Sequence, residues 1–278
     1  MIAIPSSGDF KWPWSDSDDA EQVFSQTYPS LFTHMKGHEA ALRKRSDQGH
    51  YWWELRSCAY WERFNEPKIY YQLIQYHPCY ALDTTGMYGN NKTAFILSGD
   101  PYLLAVLNSP LAWWYNWRFL PHMKDEALAP NPTVLRNLPI AQPTEQLRAT
   151  IEDRVCSLVE WNTQHRQVSQ TIQDWLRVEY EIEKPSRKLE LPTDLDSDEF
   201  VTEVKRLRGR KNPLSAAGLR SLRDEHARTI EPARRQAAEA LQLERQLGDL
   251  VNEAYGLSTE EVALMWKTAP PRMPYLLE

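Results

Sequence analysis

From Thr144 to about residue 182, apolar residues recur at steps of three or four: Leu147, Ile151, Val155, Leu158, Val168, Ile172 and Trp175. Asn162 and His165 fall in the same register. That period is the signature of one face of an α-helix, and at about 1.5 Å per residue the helix would be roughly 58 Å long. Such a rod cannot bury its seam alone, so it demands a partner of similar length. The chain supplies one after Ser215, with Leu219, Leu222, His226, Ile230, Ala233, Ala237, Leu241, Leu247, Val251 and Ala254 as its seam. Pro232 should kink this second helix, because proline removes an internal hydrogen bond. Glu183-Lys184-Pro185 stops the first helix, and a polar connector follows. Asp196-Ser197-Asp198-Glu199 then reads as a capping box for a short helix ending near Arg208-Gly209. Gly256 suits a helix C-terminus, and Ser258-Thr259-Glu260-Glu261 opens a last helix to about Lys267. Two long amphipathic helices joined by a compact insert predict an antiparallel hairpin of coiled-coil character over 143–270, with a proline-rich tail over 271–278.

The first half of the chain has a different character. Tyr51 to Tyr76 holds nine aromatic residues, more ring area than an exposed segment carries, so most should be buried. Trp52–Arg56 and Lys68–Tyr71 read as strands, with Pro67 at a tolerated position before the second. Tyr76–Asp83 reads as a third strand and Thr93–Leu97 as a fourth. The intervening Thr84–Lys92 is rich in turn formers. Asp100-Pro101 starts a helix, residues 111–120 are too aromatic to be exposed, and 121–137 read as loop. Residues 1–27 read as a polar lead with a short helix from Ala20 capped by Asp16–Asp19. A second helix is expected from Leu31 to Arg45, ending on the basic Arg43, Lys44 and Arg45. The expected fold class is therefore α+β, a mixed α/β domain over 28–142 followed by the helical hairpin.

At 278 residues the chain has room for one large domain or two ordinary ones. No run approaches the roughly 18 apolar residues of a membrane span. Three cysteines without a C-x-x-C pair argue for reduced thiols and a cytoplasmic location. The net charge of −6 counts against a uniformly basic nucleic-acid binder but leaves local patches open.

Trp53, Leu55, Arg56, Phe64, Pro67, Lys68, Ile69 and Tyr71 form a pattern W-x-L-R, aromatic cluster, F-x-x-P-K-I-x-Y. Asp100–Ser109, Leu138-Pro139-Ile140 and Ala254–Val262 follow in order. Together these pieces resemble the TaqI-like specificity domain, the target recognition domain of many adenine-N6 DNA methyltransferases and fused restriction-modification enzymes. The resemblance implies DNA sequence recognition for a restriction-modification or phage-defence methyltransferase, with double-stranded DNA as ligand. It also implies a methyltransferase catalytic domain or subunit as partner, holding the S-adenosylmethionine. A separately encoded or truncated specificity part is the expectation for this chain.

The catalytic chemistry of that family is not legible here. None of the ten glycines forms a G-x-G cofactor turn, and Asn131-Pro132-Thr133-Val134 lacks the second proline and stacking ring that hold a flipped base. No catalytic residue and no cofactor is assigned to this chain. Asp194 with Glu203-Val204-Lys205 only superficially resembles a nuclease metal site, because Glu203 and Lys205 sit about 200° apart on a helix. His34 and His38 share a helix face without a third ligand, and His165 and His226 read as packing residues; no metal site is expected.

DNA contact is the remaining chemistry. Asn90, Asn91 and Lys92 lie on a turn and suit base edges. Arg118 and Lys124, with His122, follow the aromatic helix. Lys205, Arg206, Arg208, Arg210 and Lys211 form the clearest basic run and suit phosphates. Arg56 and Lys68 can instead pair with Glu54 or Glu66 inside the domain. A competing reading makes the helical hairpin a scaffold for a protein partner, beside a degenerate DNA-recognition domain. Salt dependence separates the two, since only the DNA reader loses affinity steeply with added salt.

Overall fold

The computed structural model describes residues 2–209 and 212–275. The fold class is α+β. The chain forms two compact units: residues up to Pro67 together with Thr84–Tyr88, and Lys68–Asp83 together with the chain from Gly89 onward. Neither boundary coincides with the breaks at 27/28 and 142/143 expected from composition.

In the first unit, helices α1 (Ala20–Thr27), α2 (Pro29–Lys36) and α3 (Glu39–Leu42) surround an aromatic core. Ile4, Trp14, Ala20, Phe24, Trp52 and Trp53 are buried together. Trp14 stacks on Trp12 with ring centroids 4.9 Å apart and meets Trp53 edge-on at 6.0 Å. Residues 2–27 are thus more than a polar lead: Ile4, Trp14, Ala20 and Phe24 are core members. Asp19 makes no side-chain cap on α1. The single helix expected over Leu31–Arg45 is broken at Gly37-His38 into α2 and α3, where glycine is a poor helix former.

Trp52–Arg56 is not a strand. The segment turns around Glu54, which is fully buried. Its carboxylate accepts the backbone N–H groups of Ser7 (3.1 Å), His50 (2.9 Å) and Tyr51 (3.1 Å), and the Trp14 indole N–H (2.8 Å). The expected strand's own N–H groups go elsewhere: Glu54 donates back to the Tyr51 carbonyl at 3.0 Å and Leu55 to the Ile4 carbonyl at 2.8 Å. Only an isolated bridge, Gln48 to Leu55, remains of the expected pairing. Gly49 is required beside it, since a Cβ there would lie 2.5 Å from the Leu55 carbonyl oxygen. Arg45 closes the turn by donating to the Trp52 and Glu54 carbonyls at 3.1 and 2.8 Å.

The second unit begins with a three-stranded antiparallel sheet in the order β2-β1-β3, where β1 is Lys68–Gln72, β2 Ala81–Asp83 and β3 Thr93–Ile96. The strand expected from Tyr76 starts only at Ala81. Ile69 pairs with Leu82 on one side and Ile96 on the other. Lys68 stands opposite Asp83 and forms a buried ion pair with it at 2.6 Å. Glu66 holds Arg63, and Arg56 is exposed.

Helices α4 (Pro101–Asn108) and α5 (Pro110–Phe119) are each opened by a proline behind a capping side chain, Asp100 and Ser109. The short α6 (Pro132–Leu135) interrupts the expected loop. α7 (Glu145–Tyr180) is the predicted rod, capped by Thr144. α11 (Glu231–Ala254) returns along it: Arg154 bonds Gln246 while Gln164 bonds Gln236, the order reversed as an antiparallel pair requires. Ile151, Val155, Leu158, Leu247 and Val251 of this pair share one core with Ile69, Tyr102 and Leu107. The hairpin is therefore not a module apart from the sheet.

The insert forms its own core. α8 (Arg187–Glu190), α9 (Ser197–Arg208) and α10 (Ala216–Glu225) pack Leu189, Phe200, Val204 and Leu222 against Ile172 and Leu176 of α7. The capping box at Asp196–Glu199 is formed on both sides. The disturbance expected from Pro232 is taken up by a π-helical turn over His226–Ile230, which widens the helix just ahead of the ring. α12 (Thr259–Lys267) carries the second capping box. The segment after it is a strap rather than a loose tail: the Trp113 indole donates to Pro271 at 3.0 Å, and Met273 joins the Trp113–Leu128 cluster.

Candidate nucleic-acid interface

Asn90, Asn91 and Lys92 are exposed on the approach to β3. The turn is built by local chemistry. The Asn90 side-chain oxygen accepts the Lys92 N–H at 2.9 Å, and the Asn90 carbonyl accepts both the backbone and hydroxyl of Thr93 at 3.1 and 2.9 Å. The Lys92 carbonyl is tied to the Leu73 N–H at 2.9 Å. Gly89 allows the close approach, because a Cβ there would collide with the Thr93 hydroxyl and lie 2.7 Å from the Tyr70 ring. The backbone is thereby pinned while the Asn91 and Lys92 side chains face solvent. Asn90 is partly engaged by its own turn, as Asn commonly is.

Arg118 lies within α5 rather than after it and has a structural task. Its guanidinium lies 3.6 Å over the Trp114 ring and donates to the Trp114 and Thr268 carbonyls at 2.6 and 3.1 Å. It thus holds α5 against the end of α12. His122 meets the Trp117 carbonyl at 2.7 Å. Lys124 is exposed on a short turn followed by Asp125 and Glu126, whose backbones are left-handed. Its two acidic neighbours weaken any phosphate contact there.

At the end of α9, Lys205 is exposed and Arg206 is held in a bidentate pair by Glu203, at 2.6 and 2.9 Å. Glu203 also accepts the Ser186 hydroxyl. Arg206 and Ser186, with the charge of Lys188 beyond, pull the Glu203 carboxyl down to about 2. This carboxylate is enclosed locally by its partners rather than sunk deep in the protein. A depressed carboxyl stabilises the fold above its unfolded value of about 4.5 and loses that contribution as pH falls through the folded one. Acid titration followed by thermal melts should therefore show a stability loss between about pH 4.5 and 2 that Glu203→Gln removes; an unchanged profile in that variant would refute the assignment. Arg208 lies 5.7 Å from the Tyr180 ring. Arg210 and Lys211 lie outside the described residues.

The eight predicted contacts among the described residues therefore do not form one site. The turn adjoins the sheet core, Arg118 serves the α5–α12 junction, and the basic run caps the insert. The histidines read as packing residues have partners: His165 meets the Thr193 hydroxyl at 2.6 Å, and buried His226 the Leu195 carbonyl at 2.9 Å. The sequence reading missed the Glu203–Arg206 fork, although the i, i+3 spacing of an acid and an arginine on a helix carries that signal.

One feature was not legible at all. A groove of about 570 Å³ lies between Tyr80, Leu104, Leu158, Leu247, Gly248 and Tyr275, with Arg166 and Glu244 among its lining residues. Its apolar surroundings raise the Glu244 carboxyl although the residue keeps solvent access. Two of the inner polar residues are occupied: Asn108 bonds both backbone groups of Tyr80, and the Ser109 hydroxyl caps α5.

Among the described residues, no helix is long and apolar enough to cross a membrane. Residues 144–251, which span α7 through most of α11, match a family described as a domain of unknown function (DUF8810). No curated protein and no solved structure matches the chain.

Proposed function

We propose that the chain is a DNA sequence-recognition module that serves an adenine-N6 DNA methyltransferase in the cytoplasm, with the S-adenosylmethionine site and the methyl transfer on a catalytic partner. The pattern from Trp53 to Tyr71 suggests the class. The turn at Gly89–Lys92 is the observation that carries it. Base readout needs amide and cationic side chains presented to the major groove from a backbone that does not have to be ordered on binding. Asn91 and Lys92 are exposed on a turn already held by four hydrogen bonds. Asn91 supplies the donor–acceptor pair that matches an adenine edge, and Lys92 a donor for guanine or phosphate.

The test is selection of duplexes from a random pool by the purified chain. One motif should be enriched. Asn91→Ala should flatten the preference at one position, a discrimination of about 1–3 kcal/mol, while Lys92→Ala should weaken binding more evenly. Enrichment that survives both substitutions would remove the turn from the reading site. Absence of duplex binding, with salt-insensitive capture of a protein through the helical hairpin, would favour the scaffold reading.

A further inference from the structure

Between Lys184 and Arg223 the sequence carries ten basic and six acidic residues, in a chain of net charge −6. The excess is organised. α8 packs against α9, and Lys188 and Lys205 are exposed on these two helices. Between them, Arg206 is fixed by the carboxylate of Glu203, which is itself braced by Ser186. Arg208 follows within one turn beside Tyr180. Glu203 is already balanced by Arg206, and Arg223 is drawn to Asp198 at 2.9 Å. Lys188 and Lys205 therefore make a positive surface around one pre-oriented guanidinium, while Arg208 lies against Tyr180 on another side of α9.

The surface is nearly all charge. Among the described residues from Lys184 to Arg223, Leu191 is the large apolar side chain that stands exposed. A protein partner would need a desolvated apolar or aromatic centre, whereas a sugar-phosphate backbone needs only cations and donors. We infer that this face of α8 and α9 docks on the phosphate backbone of duplex DNA, with Lys188, Lys205 and Arg206 as the contacts and Glu203 as the residue that positions Arg206. The inference rests on the DNA-reading function proposed above. It gives part of the segment matched by the domain of unknown function a role that the reading turn cannot fill: affinity without sequence preference.

Binding of random-sequence duplex by the full chain, measured across a salt series, tests it. Each lysine on a phosphate contributes about 0.9 to the slope of log affinity against log salt. Lys188→Ala/Lys205→Ala should therefore lower the slope by about 2, equally for every sequence. Glu203→Gln separates positioning from simple electrostatics. It removes a negative charge, so a bare field would tighten binding, whereas a lost arginine fork weakens it severalfold. Arg206→Lys keeps the charge, loses the fork, and should reproduce that loss, with melting curves confirming that both variants are folded. Wild-type binding with an unchanged slope in the lysine double variant would overturn this surface and leave the reading turn standing. Preference for poly-glutamate over duplex would replace DNA by an acidic protein. Failure of the wild type to bind any duplex would overturn both proposals together.

Discussion

Glu54→Ala is expected to unfold the N-terminal unit. The side chain is fully buried and gathers donors from three separate stretches: Ser7, the Trp14 indole, and the His50-Tyr51 backbone. Removing it orphans four N–H groups, the Trp14 indole inside the aromatic core and three backbone groups at its half-buried edge. Each stranded donor costs roughly 1–3 kcal/mol, and entry of water at the three half-buried groups keeps the sum near its low end, so a loss of about 4 kcal/mol is expected. Against a typical domain stability of about 5–15 kcal/mol, that is enough to populate the unfolded unit. Trp12, Trp14, Trp52 and Trp53 report on it directly: their emission should shift to the red, and proteolysis should concentrate before Pro67. Glu21→Ala is the control. Glu21 is 40% exposed in its pair with Lys36, and exposed pairs of this kind are worth about 0–1 kcal/mol. A folded, blue-emitting Glu54→Ala protein would show that the carboxylate does not organise this unit.

The second large effect is expected at Lys68 and Asp83. Their side chains are 0% and 5% exposed and 2.6 Å apart, at directly opposed positions of β1 and β2. Lys68→Ala leaves a buried carboxylate without its counter-charge, and removal of one member of such a pair costs about 3–5 kcal/mol. Replacing both, as Lys68→Met with Asp83→Leu, removes both charges and should recover most of that loss. The pair also selects register, because a one-residue slip of β2 would turn Asp83 to the opposite face. Denaturant unfolding of the two single variants and the double gives the coupling. Additive losses in the double variant would mean that the two groups act independently.

Both sites are poorly legible in sequence for the same reason. Lys68 sits in a run that reads correctly as a strand, and the pattern places it where a structural ion pair is expected. Its partner is chosen by the pairing of β1 with β2, and no local rule ranks Asp83 above the nearer Glu66. Glu54 sits in a run that reads as a strand because aromatic residues favour strands. That tendency is overridden by a turn in which Glu54 donates back to Tyr51 and its carboxylate gathers N–H groups from Ser7, Trp14, His50 and Tyr51. The polar appearance of residues 1–27 misled in the same way. A low density of apolar residues says nothing about whether Ile4, Trp14 and Phe24 converge.

The candidate interface divides along this line too. The turn at Gly89–Lys92 was readable because its chemistry is local: Asn90 closes on Lys92 and Thr93 within three residues. The clamp made by Arg118 was not readable, because Trp114 and Thr268, its partners, are brought together by the packing of α5 on the C-terminal helix. Nothing in a loop-like, basic stretch distinguishes an arginine offered to a ligand from one that clamps two helices.

By itself the sequence determined the elements whose stabilising contacts span only a few residues. These are the long α7 and its antiparallel return, both capping boxes, the left-handed Gly256, the prolines opening α4 and α5, strands β1 and β3, and the basic end of α9. Each rests on helical or strand periodicity, or on side chains reaching backbone groups two to four positions away, and such geometry is nearly independent of the rest of the chain. Tertiary structure alone decided where the chain divides, which carboxylates are buried and by what, the groove between the sheet and the helices, and the strap that carries Tyr275 over Gly248. Those features depend on residues as many as 158 positions apart, as in the bond from Trp113 to Pro271. The energy of such a contact exists only once the intervening chain has folded.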